Sequence, residues 1–380
     1  MPSEHAPVGC SPSERWRHCT PSVRLEEKIP EKPSPFAEEG TKAHALAERV
    51  VNAYLAGKPL KRKPKDVDGE MWEAVKFYED ICVEKINEAR KASPDAEVHV
   101  EERLDVSPWV PEGFGTGDMV LVSDTTMEII DFKYGKGVRV DAHDNSQMRL
   151  YALGLYNAYG MLYGADKVSM TIVQPRISNV SSEEISIKEL LKWGEYIKPL
   201  AEMAYKGEGE RCAGAHCKFC RVAPTCRALA DYEMEVVKEA TKPDELTDVD
   251  IAEIIRRADS IKKWLTTIEE YALHAATVDG IAWPGLKVVE GRSVRKISDE
   301  EQAKRLLMVA GFTEDDILKP QELKTITALE KLVGKKKFGE IMADVLIKPP
   351  GKPTLVDESD KRPAMDLSTV KDSDFDDSLL

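Results

Sequence analysis

Residues 115–133 read GTGDMVLVSDTTMEIIDFK, and no other stretch limits the fold as tightly. Two apolar runs, 115–122 and 127–133, flank a short polar break, the pattern of two strands joined by a hairpin. A two-residue loop at Asp124-Thr125 pairs residue 123 with 126 and, in the same register, 118 with 131. Asp118 and Asp131 then face each other across the ladder, and Lys133 projects from the same face as Asp131. Asp-Thr is not the favoured Asp-Gly turn, so the sequence permits this register without imposing it. Like charges directly opposite on a sheet are destabilising unless something positive sits between them. A divalent cation with oxygen ligands fits, Mg2+ or Mn2+ where phosphate chemistry is involved. The neighbouring lysine is suited to hold a phosphate or orient a water. Gly115 and Gly117 leave room for a bulky ligand against the backbone. The plainer alternative is a solvated hairpin with scattered surface charge.

The flanking sequence builds a mixed α/β unit around this hairpin. Helical periodicity covers 37–56 and 69–91, and a strand-like stretch covers 97–104. After the hairpin come an amphipathic helix near 144–163, a strand near 167–174 and a helix near 187–206. The order is α, α, β, β, β, α, β, α. Residues 244–345 read as mainly helical, with a long helix near 246–278 and a small hairpin within 280–297. From Lys348 onward Pro, Ser and Asp dominate and no apolar period survives, which predicts a disordered acidic tail. The expected domains are therefore 1–240, 241–347 and 348–380.

An aspartate, a short hairpin and then Asp131-Phe132-Lys133 resemble the PD-(D/E)XK nuclease superfamily, and more narrowly its RecB-like exonuclease branch. Gly40-Thr-Lys-Ala-His44 resembles that branch's G-x-x-x-H motif, and Gln147-Met-Arg-Leu-Tyr151 its Q-x-x-x-Y motif. The resemblance implies a restriction-endonuclease-like α/β core, a central mixed sheet flanked by helices in the order αβββαβ. It implies His44, Asp118, Asp131 and the backbone carbonyl of Phe132 as ligands of Mg2+ or Mn2+. It implies Lys133 as the catalytic lysine, with Gln147 and Tyr151 supporting the substrate side. Read alone, His44 is a surface or packing histidine, and Gln147 with Tyr151 an ordinary helical pair. The whole chain also resembles a phage and prophage family of unknown function, through its N-terminal stretch and its cysteine segment.

Cys217, Cys220 and Cys226 form C-x2-C-x5-C, spacing that lets one loop wrap a metal or a cluster. Cys212 and Cys19 are both available as a fourth ligand, and thiolates alone do not separate zinc from iron–sulfur. The resemblance to RecB-like nucleases of the CRISPR-associated and AddB types implies Cys19, Cys217, Cys220 and Cys226 around a structural 4Fe–4S staple, with Zn2+ as the alternative. Cys10, Cys82 and Cys212 read as ordinary thiols, and His18 or His216 as a substitute ligand in a zinc version.

A net charge of −14 argues against a generally basic nucleic-acid coat but not against a local groove. Lys58, Lys61, Arg62, Lys63 and Lys65 form one basic group; Lys287, Arg292, Arg295 and Lys296 form a second, and Lys335–Lys337 a third. Each fits a phosphate-tracking groove or a solvated charge run. Trp264 and Trp283 suit base stacking or core packing. The acidic strip at 372–377 suits a basic partner or simple solubilisation. No run approaches the ~20 apolar residues of a membrane helix and no export signal is present, so a cytoplasmic protein is expected. The expected activity is metal-dependent exonucleolytic cleavage of DNA at an end or single-stranded region, in phage recombination or processing. The expected partners are DNA and a phage recombination or single-strand-binding protein. The alternative is a non-catalytic recombination accessory with the same fold and cluster. A zinc-stapled structural or interaction protein with no nuclease fold is a third reading.

Overall fold

The computed structural model describes residues 6–30, 35–239 and 246–288. The chain divides into two compact units, Met1–Ala272 and Leu273–Leu380, and the sites below belong to the first. Two short helices, α1 (Ser13–His18) and α2 (Ser22–Glu26), precede α3 (Pro35–Leu55) and α4 (Gly69–Ala92). Strands β1 (Glu97–Asp105), β2 (Phe114–Val122) and β3 (Thr126–Phe132) follow, then α5 (Ser146–Tyr159) and β4 (Lys167–Gln174). An edge strand β5 (Asn179–Ser186) leads into α6 (Ile187–Lys206), and α7 (Arg227–Glu239) and α8 (Asp248–Thr277) end the described helices. Local chemistry fixes several boundaries. Asp68 caps α4 by accepting from Glu70 and Met71 N–H, Asn145 caps α5 by accepting from Met148 N–H, and Ser186 with Glu189 forms a capping box on α6.

The sheet order is β1-β2-β3-β4-β5, antiparallel except for the parallel pair β3–β4, whose crossover is α5. Apolar residues alternate along the central strands and build a core on each face. Val120, Val122, Met127, Ile129, Met170 and Ile172 pack with α5 and α6 residues on one face. Met119, Leu121, Ile130, Phe132 and Val173 pack with residues of α3 and α4 on the other. This is the mixed α/β core expected, with a helical C-terminal region represented by α8. The hairpin adopts the expected register: Val122 pairs with Met127 and Met119 with Ile130. Ser123 closes the loop, accepting the Thr126 N–H on its hydroxyl at 3.1 Å. The strand β5 and helices α1, α2 and α7 are additions to the expected order. Residues 280–288 carry no strand. The rest of the expected 280–297 hairpin, helices beyond 288, Arg292, Arg295, Lys296, Lys335–Lys337 and the tail with its acidic strip lie outside the described residues.

Candidate active site

At its end the β2–β3 ladder hands over from backbone to side chain. Lys133 N–H turns to Val173 of β4, leaving Phe132 N–H pointing toward β2, where Asp118 Oδ2 accepts it at 2.6 Å. Asp118 Oδ1 lies 2.9 Å from His44 Nδ1, which arrives from α3. Asp131 stands across from Asp118 by the hairpin register and is 3% exposed. Lys133 Nζ sits 2.9 Å from Asp131 Oδ2, an ion pair that serves this buried oxygen. Lys133 Nζ also donates to Gln147 Oε1 at 3.1 Å, and Gln147 Nε2 donates to Tyr151 Oη at 2.9 Å. The expected residues thus fall into two groups, His44 with Asp118, and Asp131 with Lys133, Gln147 and Tyr151, which the hairpin register sets side by side. At Phe132 it is the N–H that engages Asp118.

One member is absent from the sequence reading. Glu101 of β1 stands opposite Asp118, between the pairs Val100–Met119 and Glu102–Gly117, with a left-handed backbone at φ 54° that interrupts the ladder. His44, Glu101 and Asp118 each offer a ligand atom, all within 4.8 Å of one another. The row Glu101, Asp118, Asp131 thus crosses three adjacent strands. The run 97–104 reads as a strand from sequence. Its register against β2 depends on a long connection, and Glu101 and Glu102 point to opposite faces, so nothing in the sequence selects between them.

Electrostatics follow from this crowding. Burial and the neighbouring Asp118 carboxylate push the Glu101 carboxyl up to about 7. Burial also raises the Asp131 pKa; Lys133 opposes this and Asp118 adds to it. Burial works against protonated His44, but the hydrogen bond and charge of Asp118 outweigh it and raise the imidazole pKa. Burial likewise disfavours the Lys133 ammonium, and Asp131 more than restores it. A one-imidazole, carboxylate-rich donor set of this kind fits Mn2+ or Mg2+. The room beside Gly115 and Gly117, however, is filled by the chain itself. A Cβ at Gly115 would lie 2.5 Å from Tyr151 Cε1, and one at Gly117 3.1 Å from Val120 Cγ1.

The cysteines gather at a second locus. Cys19, Cys212, Cys217, Cys220 and Cys226 line one cavity together with His216. Cys19 follows α1; Cys217 lies in the 3-10 turn 215–219, and Cys220 and Cys226 directly follow the turns 215–219 and 223–225, ahead of α7. All are free thiols, and no three of their sulfurs lie within 4.8 Å of one another among the described residues. Burial raises the Cys19 and Cys217 thiol pKa values and takes Cys220 to about 11. The two chain segments are bound to each other by more than sulfur. Glu26 pairs with Arg15 and accepts Arg221 N–H at 2.7 Å, Arg24 Nε donates to Tyr205 O at 2.6 Å, and Thr20 Oγ1 donates to Glu208 O at 2.6 Å. The same N-terminal strap touches α5, where Ser11 Oγ accepts from Gln147 Nε2 at 3.3 Å and Ser13 Oγ lies 2.8 Å from Ser146 Oγ. A groove of about 590 Å³ is lined by Ser11, Arg15, Arg221, Gly115 and Tyr151 among others. Trp264 of α8 packs with Ala223 and Leu229 beside the cysteines, which makes it a core residue. Lys58, Lys61, Arg62, Lys63 and Lys65 are exposed. No described helix is long and apolar enough to cross a membrane.

A family model described as "Protein of unknown function (DUF2800)" matches residues 5–363. Among solved structures, one described as "Crystal structure of SSO0001" is similar at 16% identity, over 57% of this chain and 85% of that chain, with a TM-score of 0.25. That TM-score is too low for the likeness to support an argument about fold or function.

Proposed function

Since the chain belongs to the DUF2800 family, whose description assigns no activity, we propose its function from its own side chains: a metal-dependent deoxyribonuclease of the PD-(D/E)XK, RecB-like kind that hydrolyses DNA from an end or single-stranded region. The observation that carries this is the placement of His44 on Asp118 and of Lys133 on Asp131, with the two aspartates opposite each other in the hairpin register. A bound Mg2+ or Mn2+ supplies Lewis-acid charge to the scissile phosphate and lowers the pKa of a water. His44, Asp118 and Asp131 would hold it. Phe132 N–H fixes the Asp118 carboxylate, so one ligand is oriented before any cation arrives. Lys133, anchored by Gln147 and through it by Tyr151, presents an ammonium to the phosphate or the attacking water. Phage DNA recombination or processing is the setting that fits such an activity.

The cysteine locus is proposed to hold a 4Fe–4S group on Cys19, Cys217, Cys220 and Cys226. Its role is structural, since it ties the N-terminal strap to the segment after α6. The decisive assay is digestion of end-labelled single- and double-stranded DNA with Mn2+, Mg2+ or chelator. Asp131→Ala is expected to abolish cleavage while far-UV circular dichroism stays unchanged. Undiminished metal-dependent digestion by Asp131→Ala rejects the reading. Metal-independent DNA binding without cleavage by the wild type marks an accessory protein instead.

A further inference from the structure

Glu101 belongs to the site by position and by charge. It stands across from Asp118 in the β1–β2 ladder and shares with it and His44 a set of ligand atoms within 4.8 Å. Among the described residues no lysine or arginine is ion-paired with it, whereas Asp131 is paired with Lys133. Three carboxyls, Glu101, Asp118 and Asp131, thus share one lysine and one imidazole, a surplus of acidic groups that a divalent cation would offset.

We propose that Glu101 is a further protein ligand of the active-site cation, and that this ligand set with the His44 imidazole selects Mn2+ over Mg2+. This rests on the nuclease reading for its purpose but not for its chemistry. Mg2+ favours an octahedron of oxygens and retains its waters, whereas an imidazole nitrogen suits a transition metal. The left-handed backbone at Glu101 interrupts the ladder beside Asp118. The third carboxylate thus comes from the first strand of the sheet, beyond the hairpin that carries the other two.

Mn2+ binding to the purified full chain, followed by the electron paramagnetic resonance signal of free Mn2+ and by competition with Mg2+, tests this. The wild type is expected to bind Mn2+ at least about tenfold more tightly than Mg2+. Glu101→Gln is expected to weaken Mn2+ binding by about tenfold or more, on the order of what loss of a supporting group costs a metal site. Glu101→Asp, which keeps the charge on a shorter arm, provides the measurement if the glutamine variant does not fold. Mn2+ affinity within twofold of wild type in the folded variant, or equal Mg2+ and Mn2+ affinity in the wild type, overturns the proposal. DNA cleavage scored in parallel separates the two readings. Glu101-dependent Mn2+ binding without any cleavage overturns the nuclease reading alone. Cleavage with Glu101-independent binding overturns the ligand proposal alone, and binding of neither Mn2+ nor Mg2+ by the wild type overturns both.

Discussion

A lysine between two acceptors is held by both, and Lys133 is in that position, with Asp131 on one side and Gln147 on the other. Gln147→Ala removes the neutral acceptor while the ion pair remains. Loss of one hydrogen bond to a charged group is worth ~1–3 kcal/mol, so cleavage is expected to fall about 10- to 100-fold with Mn2+ affinity unchanged. Single-turnover kinetics beside a Mn2+ titration check this. Glu101 gives a pH signature to the cation-free protein. Its carboxyl is raised to about 7 by burial and by Asp118, against an ordinary value of 4.5. A raised pKa means that the folded state favours the protonated form. That stability is fully present below the unfolded value and is lost as pH rises through about 7. In chelator, Glu101→Gln is therefore expected to gain thermal stability over wild type at pH 8 and not at pH 4. Equal melting shifts at both pH values would count against this environment for Glu101.

Among the elements, the hairpin was the most legible from sequence, because two alternating runs and a two-residue break leave few registers and the core faces select one. The long helices α3, α4, α5 and α6 were legible for the same reason of periodicity. β5 was not: its residues NVSSEEIS are largely polar because it is an edge strand with one face toward solvent. The helices α1 and α2 are too short to show a period, and only packing of Trp16 into the core gives α1 its place. Glu101 was illegible because its meaning lies in the pairing of β1 with β2, which no local pattern encodes. The glycines ahead of Asp118 were legible as a need for space but not as to what fills it. Gly115→Ala is expected to force Tyr151 off the strand and to cost ~1–3 kcal/mol, as overpacking does. A lowered melting temperature together with reduced cleavage checks it, since Tyr151 also holds Gln147.

For the molecule as a whole, the strap of residues 6–30 joins the two loci, reaching the cysteine cavity through Cys19 and helix α5 through Ser11 and Ser13. Cys19→Ser is expected to lower bound iron and the absorbance at about 400 nm that thiolate-ligated clusters give, and to lower the melting temperature. A cross-link over some 200 residues constrains the unfolded chain by up to ~5 kcal/mol in the chain-entropy account. Cys212→Ser is expected to leave the iron content unchanged. Metal analysis of anaerobic preparations, with calorimetry, distinguishes the two cysteines. The strap also imposes an order on biosynthesis. Its partners Tyr205, Glu208 and Arg221 leave the ribosome about 200 residues after it does, a delay of roughly 10–40 s at ~5–20 residues per second. Until those residues emerge, the bonds that Arg24, Thr20 and Glu26 make to them cannot form, so the strap stays unfastened there while the sheet it borders is already synthesised.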